Sequence, residues 1–156
     1  MNNTHFNSKS PNLYCIHLNQ CDKKKCTSVK LKKLHLINFI SKTQANSLKA
    51  IILNPLSKEI LHNDDKKVIA TYGLIIIDCS WNLFSDLKGY NTRNARCLPP
   101  FIAANPVNYG KWNMLSSAEA LAAALYITDF YDIANIILSK FNWGFEFKRL
   151  NNINKI

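Results

Sequence analysis

Gly73-Leu74-Ile75-Ile76-Ile77-Asp78-Cys79-Ser80-Trp81 is the stretch on which the fold turns. An isoleucine-rich run with no polar alternation reads as a strand covered on both faces, and it stops abruptly on a carboxylate. A second such core, Ala50–Leu53, runs into Asn54-Pro55-Leu56-Ser57, and a shorter one spans Leu13–Leu18. A fourth apolar run, Pro100–Ala104, ends at Asn105-Pro106 and is expected to be a further strand. Helix-sized segments separate these runs. One of them opens with Asn63-Asp64-Asp65, whose acids suit the positive end of a short helix. Continuous apolar strands spaced by helices argue a parallel sheet. Val29–Ile40 reads two ways: Val29 and Leu31 alternate with lysines as in a strand, while Leu34, Ile37 and Ile40 fall at helical spacing.

The character changes after Gly110. Ser116-Ser117-Ala118-Glu119 is a capping box directly before the alanine-rich run Ala120–Tyr126. A second helix is predicted in Asp129–Lys140, and a short element carries Phe141, Trp143, Phe145 and Phe147. The expected organisation is therefore an α/β domain over 12–100 and a helical domain over 101–150, between short tails at 1–11 and 151–156.

The 156 residues are 47% hydrophobic and 19% charged, as in an ordinary soluble domain, but their net charge is +10. Such an excess favours a polyanionic partner, nucleic acid before acidic membrane. The longest apolar run falls far short of the ~20 residues that span a bilayer. Residues 1–11 are polar and show no signal peptide. The five cysteines form no regular framework, and Cys15 and Cys79 sit among apolar residues, so a reducing, cytoplasmic location is expected.

Three strand-end loops converge where an α/β sheet binds its ligands: Asn54-Pro55, Asp78–Trp81 and Leu98–Tyr109. Trp81 reads either as a core filler or as a stacking wall. Asp78 reads either as a capping acceptor for the turn that follows or as a site group. Cys21 and Cys26 lack a second Cys/His pair at ligand spacing, so no metal is expected. His17, inside a strand, reads as a satisfied core histidine. Four scattered glycines exclude a phosphate-binding loop, and nothing resembles a nucleophile–histidine arrangement. Lys23, Lys24, Lys25, Lys30, Lys32 and Lys33 face only Asp22 in their segment. A second basic cluster holds Lys88, Arg93, Arg96 and Lys111. Two basic segments beside ligand loops suit a phosphate backbone.

Taken together, five motifs are more specific. Cys21-Asp-Lys-Lys-Lys-Cys-Thr-Ser28, Leu53-Asn-Pro-Leu-Ser57, Asp78-Cys-Ser-Trp81, Ala104-Asn-Pro-Val-Asn-Tyr-Gly110 and Leu115-Ser-Ser-Ala-Glu-Ala-Leu121 occur in order. From about Tyr14 to about Leu150 the chain resembles the small-subunit ribosomal-RNA aminocarboxypropyltransferase family of archaea and eukaryotes. The resemblance implies a SPOUT-like fold, a parallel α/β lobe followed by an all-helical C-terminal lobe, with a deep trefoil knot. That would be an exception to the rule against knotted chains. It implies transfer of the 3-amino-3-carboxypropyl group of S-adenosylmethionine to N3 of a pseudouridine, usually N1-methylated, with release of methylthioadenosine. A monomer acting on ribosomal RNA or a pre-ribosomal subunit is expected, without a metal and without a membrane.

Roles follow for matching positions. The resemblance places the Thr27 backbone at the donor's carboxylate, and Leu53, Pro55, Trp81, Leu115 and Ala120 around adenine and the sulfonium methyl. It places the backbones of Leu98 and Asn113 at the adenine edge, the Ile77 carbonyl at the ribose, and Asp78 beside the transferred group as base or electrostatic partner. On this resemblance Trp81 moves to the site reading. Two departures stand out: Lys23 occupies a position that is commonly proline, and Lys111-Trp-Asn-Met114 replaces a proline-containing stretch. A SPOUT-type RNA methyltransferase would instead yield S-adenosylhomocysteine, and a non-catalytic ribosomal-RNA-binding assembly factor would bind RNA without regard to S-adenosylmethionine.

Overall fold

The computed structural model describes residues 10–20, 22–78, 87 and 93–153. Cys21, Cys79, Ser80, Trp81 and Lys88, with residues 1–9 and 154–156 of the tails, lie outside the described residues. Five strands form one parallel sheet: β1 (Leu13–His17), β2 (Asn38–Phe39), β3 (Ile51–Leu53), β4 (Leu74–Asp78) and β5 (Ala95–Arg96), in the order β2-β1-β4-β3-β5. The three apolar cores predicted as strands at Leu13–Leu18, Ala50–Leu53 and Gly73–Ile77 are β1, β3 and β4. Asn63–Asp65 forms a 3-10 turn leading into α3 (Lys66–Tyr72).

Val29–Ile40 contains both a helix and a strand, but in the reverse of the order its spacing suggests: Val29 and Leu31 are helical, and the strand lies between Ile37 and Ile40. Helix α1 (Thr27–Lys33) takes the first part, His35 reverses the chain at φ +58°, and β2 takes two residues of the second. Helix α2 (Lys42–Ser47) follows, capped by Ser41 and Gln44. The fourth predicted strand is a correction. Pro100–Ala104 does not join the sheet; β5 lies upstream of it, and Ile102 instead bridges Trp112 in antiparallel fashion. Ala103 donates to the Lys111 carbonyl at 2.9 Å and Gly110 to the Ala103 carbonyl at 2.8 Å, so the segment is one arm of a hairpin-like loop. Proline at 99 and 100 removes two ladder donors, which suits a loop arm better than a sheet strand.

Each strand lays alternate side chains on opposite faces, although the sequence reads as continuously apolar. Leu13, Cys15, Ile51, Leu53, Leu74 and Ile76 join the larger core, while Ile16, Ile52 and Ile75 join a smaller one with Ala45 of α2. The larger core is filled from the helical half. Helix α4 (Ser117–Ile127) is buried along nearly its whole length and packs on α1, on β4 and on α5 (Tyr131–Ser139). Its Ala122, Ala123 and Ala124 are fully enclosed, as a helix apolar on every side must be. Helix α6 (Gly144–Leu150) adds Phe147 to the same core. Gly73 joins α3 to β4 at φ +99°, and a Cβ there would lie 2.6 Å from the Asn12 carbonyl oxygen. Only glycine fits this position.

Candidate active site at the carboxyl ends of the strands

The register of β1 on β4 sets His17 opposite Asp78. Both stand an even number of residues from core-facing Leu13 and Leu74, so both project toward α1 and α4. The Asp78 carboxylate accepts from His17 Nδ1 at 2.7 Å, from Cys26 Sγ at 3.1 Å and from the Ser28 hydroxyl on one oxygen. Its other oxygen accepts from Ser117 Oγ at 3.2 Å. Ser28 is in the first turn of α1 and Ser117 opens α4, so the carboxylate sits at the positive ends of two helices. Thr27 Oγ1 ties these helices together by accepting from the Ala118 amide at 3.1 Å.

Burial by itself would raise the Asp78 pKa. Hydrogen bonds from Ser28, Cys26 and His17, with the charge of a protonated His17, outweigh that and hold it below the ordinary 3.8. Cys15, two residues before His17 on the same face, is pushed strongly up, first by burial and then by the neighbouring Asp78 and Cys26. It is therefore an inert core thiol. His17, Cys26 and Asp78 bring three metal-ligating atoms within 4.8 Å of one another. The 2.7 and 3.1 Å separations are those of hydrogen-bonded partners, and every buried polar side-chain atom among the described residues has a partner.

The apolar positions singled out from the sequence fall in different surroundings. Leu53 ends β3, Leu98 follows β5, and Leu115 and Ala120 flank the start of α4; all four pack in or against the larger core. Ile77 points to the smaller core, and Pro55 is exposed on a turn pinned by Asn54, whose Oδ1 accepts from the Leu56 amide at 2.9 Å. Asn113 adopts φ +61° and donates its backbone amide to the Phe101 carbonyl at 2.8 Å, so that amide is already engaged within the loop. Trp81 is outside the described residues.

The basic residues divide. Lys23, Lys24 and Lys25 are exposed on a turn to which Asp22 is the acceptor, at 3.0 Å from the Lys24 amide. Lys32 and Lys33 are exposed on α1, and Arg93 and Lys111 are exposed on loops. Lys30 reaches the Lys140 carbonyl at 2.5 Å and lies over Phe141. Arg96 differs from these. Its guanidinium holds Asp65 at 3.1 Å and Glu59 at 3.0 Å with only 17% of its side chain exposed, so its ion pairs tie it into the fold.

His17, Cys26, Ser28 and Ser117 are site residues that reading the sequence misses. The two hydroxyls and the thiol stand inside the quoted motifs, beside the positions chosen. The role of His17 depends on strand register, which leaves no local signal.

These features define a parallel α/β protein with a strand-end carboxylate site at the start of two helices, flanked by a cationic surface. A family described as "Ribosome biogenesis protein, C-terminal" matches residues 51–154. The 16S rRNA aminocarboxypropyltransferase of Methanocaldococcus jannaschii is 39% identical over 142 residues, 90% of this chain and 83% of that one. That of Methanosarcina acetivorans is 41% identical over 151 residues, 93% and 83% of the two chains. The solved structure of the SAM-dependent rRNA:acp-transferase Tsr3 from Vulcanisaeta distributa superposes with a TM-score of 0.86 at 36% identity, covering 92% of this chain and 80% of that one. The chain belongs to the 16S rRNA aminocarboxypropyltransferase family.

Proposed function

We propose that this protein modifies small-subunit ribosomal RNA, placing a 3-amino-3-carboxypropyl group on N3 of a pseudouridine, usually N1-methylated. The observation that carries this reading is the correspondence, in sequence and fold together, with a SAM-dependent rRNA:acp-transferase across 92% of the chain. S-adenosylmethionine supplies the electrophilic side-chain carbon and departs as methylthioadenosine.

The residues present fit that donor. Leu53, Leu115 and Ala120 offer apolar walls for adenine and the sulfonium methyl, together with Pro55 and Trp81. The Ile77 and Asn113 carbonyls are the acceptors available to ribose and the adenine amino group, and the Leu98 backbone faces the same edge. The Thr27 backbone, at the start of α1, is suited to a carboxylate. A carboxylate held below its ordinary pKa by hydrogen bonds from Ser28, Cys26 and His17 is a poor proton acceptor. Asp78 therefore acts on the positive charge of the donor and orients it, rather than deprotonating the base. Enclosing the methyl group while leaving the side chain toward RNA selects one of three electrophilic carbons by position.

Lys23, Lys24, Lys25, Lys32, Lys33, Arg93 and Lys111 form the proposed RNA surface, with Lys30 at its margin. The knotted SPOUT-like arrangement of an α/β lobe and a helical lobe, action as a monomer and a cytoplasmic location belong to the same reading. No helix among the described residues is long and apolar enough to cross a membrane. The test is a product assay with under-modified small-subunit RNA and S-adenosylmethionine labelled in either the carboxyl carbon or the methyl group. Carboxyl label in RNA with release of methylthioadenosine is expected. Methyl label in RNA would make the protein a methyltransferase, and no label with undiminished RNA binding would make it an assembly factor.

A further inference from the structure

We infer that the depression between the end of β1, α1 and β2 is a subsite for one unpaired RNA nucleotide flanking the modified base. This deepens the reading of the chain as an RNA-modifying enzyme and rests on it. The depression is open to solvent and has a volume of about 560 Å³, ample for a nucleotide. Its floor is apolar, from half-buried Val29, Phe39 and Ile40, and its rim is cationic, from exposed Lys23, Lys32 and Lys33. An apolar floor under a cationic rim is the arrangement that takes a base on one side and its phosphate on the other.

The floor already holds a stack. Phe39 pairs with Cys15 across the sheet, and its ring lies on His17 at 4.8 Å between centroids and 20° between planes. Lys32 Nζ stands 4.5 Å from the centre of the Phe39 ring. An incoming base takes the place of that ammonium and extends the stack, and the displaced Lys32 joins Lys23 and Lys33 at the phosphate. Bases inside a duplex have both faces covered, so this floor selects an unpaired nucleotide. The His17 ring stands between the depression and Asp78, to which its Nδ1 is bonded at 2.7 Å. The occupant is thus a neighbour of the modified base and not that base itself.

The experiment measures binding of the full chain to a labelled single-stranded oligoribonucleotide, and to the same strand annealed to its complement, over a range of salt. Phe39→Leu keeps the apolar volume and removes the aromatic face. It should weaken single-strand binding about tenfold, with duplex binding and the salt slope unchanged, while Phe39→Tyr should bind as the wild type does. Lys32→Gln and Lys33→Gln should each lower the salt slope by about 0.7. Val29→Glu, on the surface of α1, carries the same test if Phe39→Leu proves unstable, and should weaken single-strand binding more than duplex binding. Undiminished single-strand binding by the folded Phe39→Leu variant, or equal losses on single strand and duplex, would overturn the subsite. Failure of the wild type in the product assay sinks the enzymatic reading instead and leaves this binding comparison standing.

Discussion

One buried carboxylate, Glu119, and one half-buried carboxylate, Asp78, lie beside α4, and they are held by different kinds of partner. Glu119 is fully enclosed and accepts from the backbone: from the amides of Ala104 at 2.7 Å, Asn105 at 3.0 Å and Ser116 at 2.7 Å, with Asn105 Nδ2 at 2.7 Å. Among the described residues, the Asp78 carboxylate accepts from the side chains of His17, Cys26, Ser28 and Ser117. Backbone donors belong to the fold, since no substitution elsewhere except proline removes them. Side-chain donors can be exchanged or moved aside when a ligand arrives. The first arrangement pins a hairpin-like loop to the start of a helix, and the second forms a polar cluster at a strand end. Burial alone does not separate a structural acid from a working one; the identity of its partners does.

The largest test of that contrast removes the structural acid. Glu119→Ala leaves three amides and the Asn105 side chain without their acceptor, and should cost at least about 3 kcal/mol in urea unfolding. A variant with wild-type stability would break the comparison at once. Asp78→Asn is expected to behave in the opposite way. Aminocarboxypropyl transfer should fall about 100-fold or more, S-adenosylmethionine binding by calorimetry should weaken because its positive charge loses that partner, and the thermal midpoint should move less than for Glu119→Ala. Normal turnover in Asp78→Asn would remove the working role altogether.

Arg96 extends the same contrast to a cation. Arg96→Gln should lose about 1–3 kcal/mol, because buried Asp65 keeps its charge but loses its cation, retaining the His62 amide at 3.1 Å. The salt slope of RNA binding should stay where it was. A change in slope would return Arg96 to the RNA surface.

How far the sequence could be read follows from the range of each signal. The strands β1, β3 and β4 are legible because both faces are covered, and the capping box at Ser116 is legible because it is local. Two-residue strands such as β2 and β5 carry no pattern of their own. Proline-flanked Phe101–Ala104 imitates a strand through composition, although its partner is Lys111 and not the sheet. In the candidate site, Asp78 and the apolar walls are visible from motifs. His17 is not, since its partnership depends on pairing between residues 61 positions apart. A lysine count also cannot distinguish exposed Lys32 from ion-paired Arg96.

Acid titration gives a smaller effect. A carboxylate whose folded pKa lies below its unfolded value adds stability above that unfolded value and loses it as pH falls through the folded one. The contribution of Asp78 should therefore be complete above about pH 5 and fade below about pH 4. Circular dichroism melts of Asp78→Asn should show a shallower acid limb than the wild type; identical limbs would mean that its donors do not favour the ionised form. The smallest effect belongs to Ser117→Ala, which removes one of those donors. It should cost about 1 kcal/mol or less and slow transfer only a few-fold. A loss as large as that of Asp78→Asn would show that Ser117 touches the reacting groups.

The alternation of side chains along β4 has a consequence for sequence change over time. Asp78 faces α1 and α4 because its distance from Leu74 is even, so the strand keeps a phase as well as a composition. Deleting any one isoleucine from Ile75–Ile77 would leave an equally apolar strand, yet it would turn the carboxylate toward α2. Deleting two would restore the face but draw the carboxylate back by about 6.6 Å, away from His17. Substitutions inside the strand are therefore tolerated by kind, while changes in its length are not tolerated at all, and the spacing from Gly73 to Asp78 is itself an inherited part of the site.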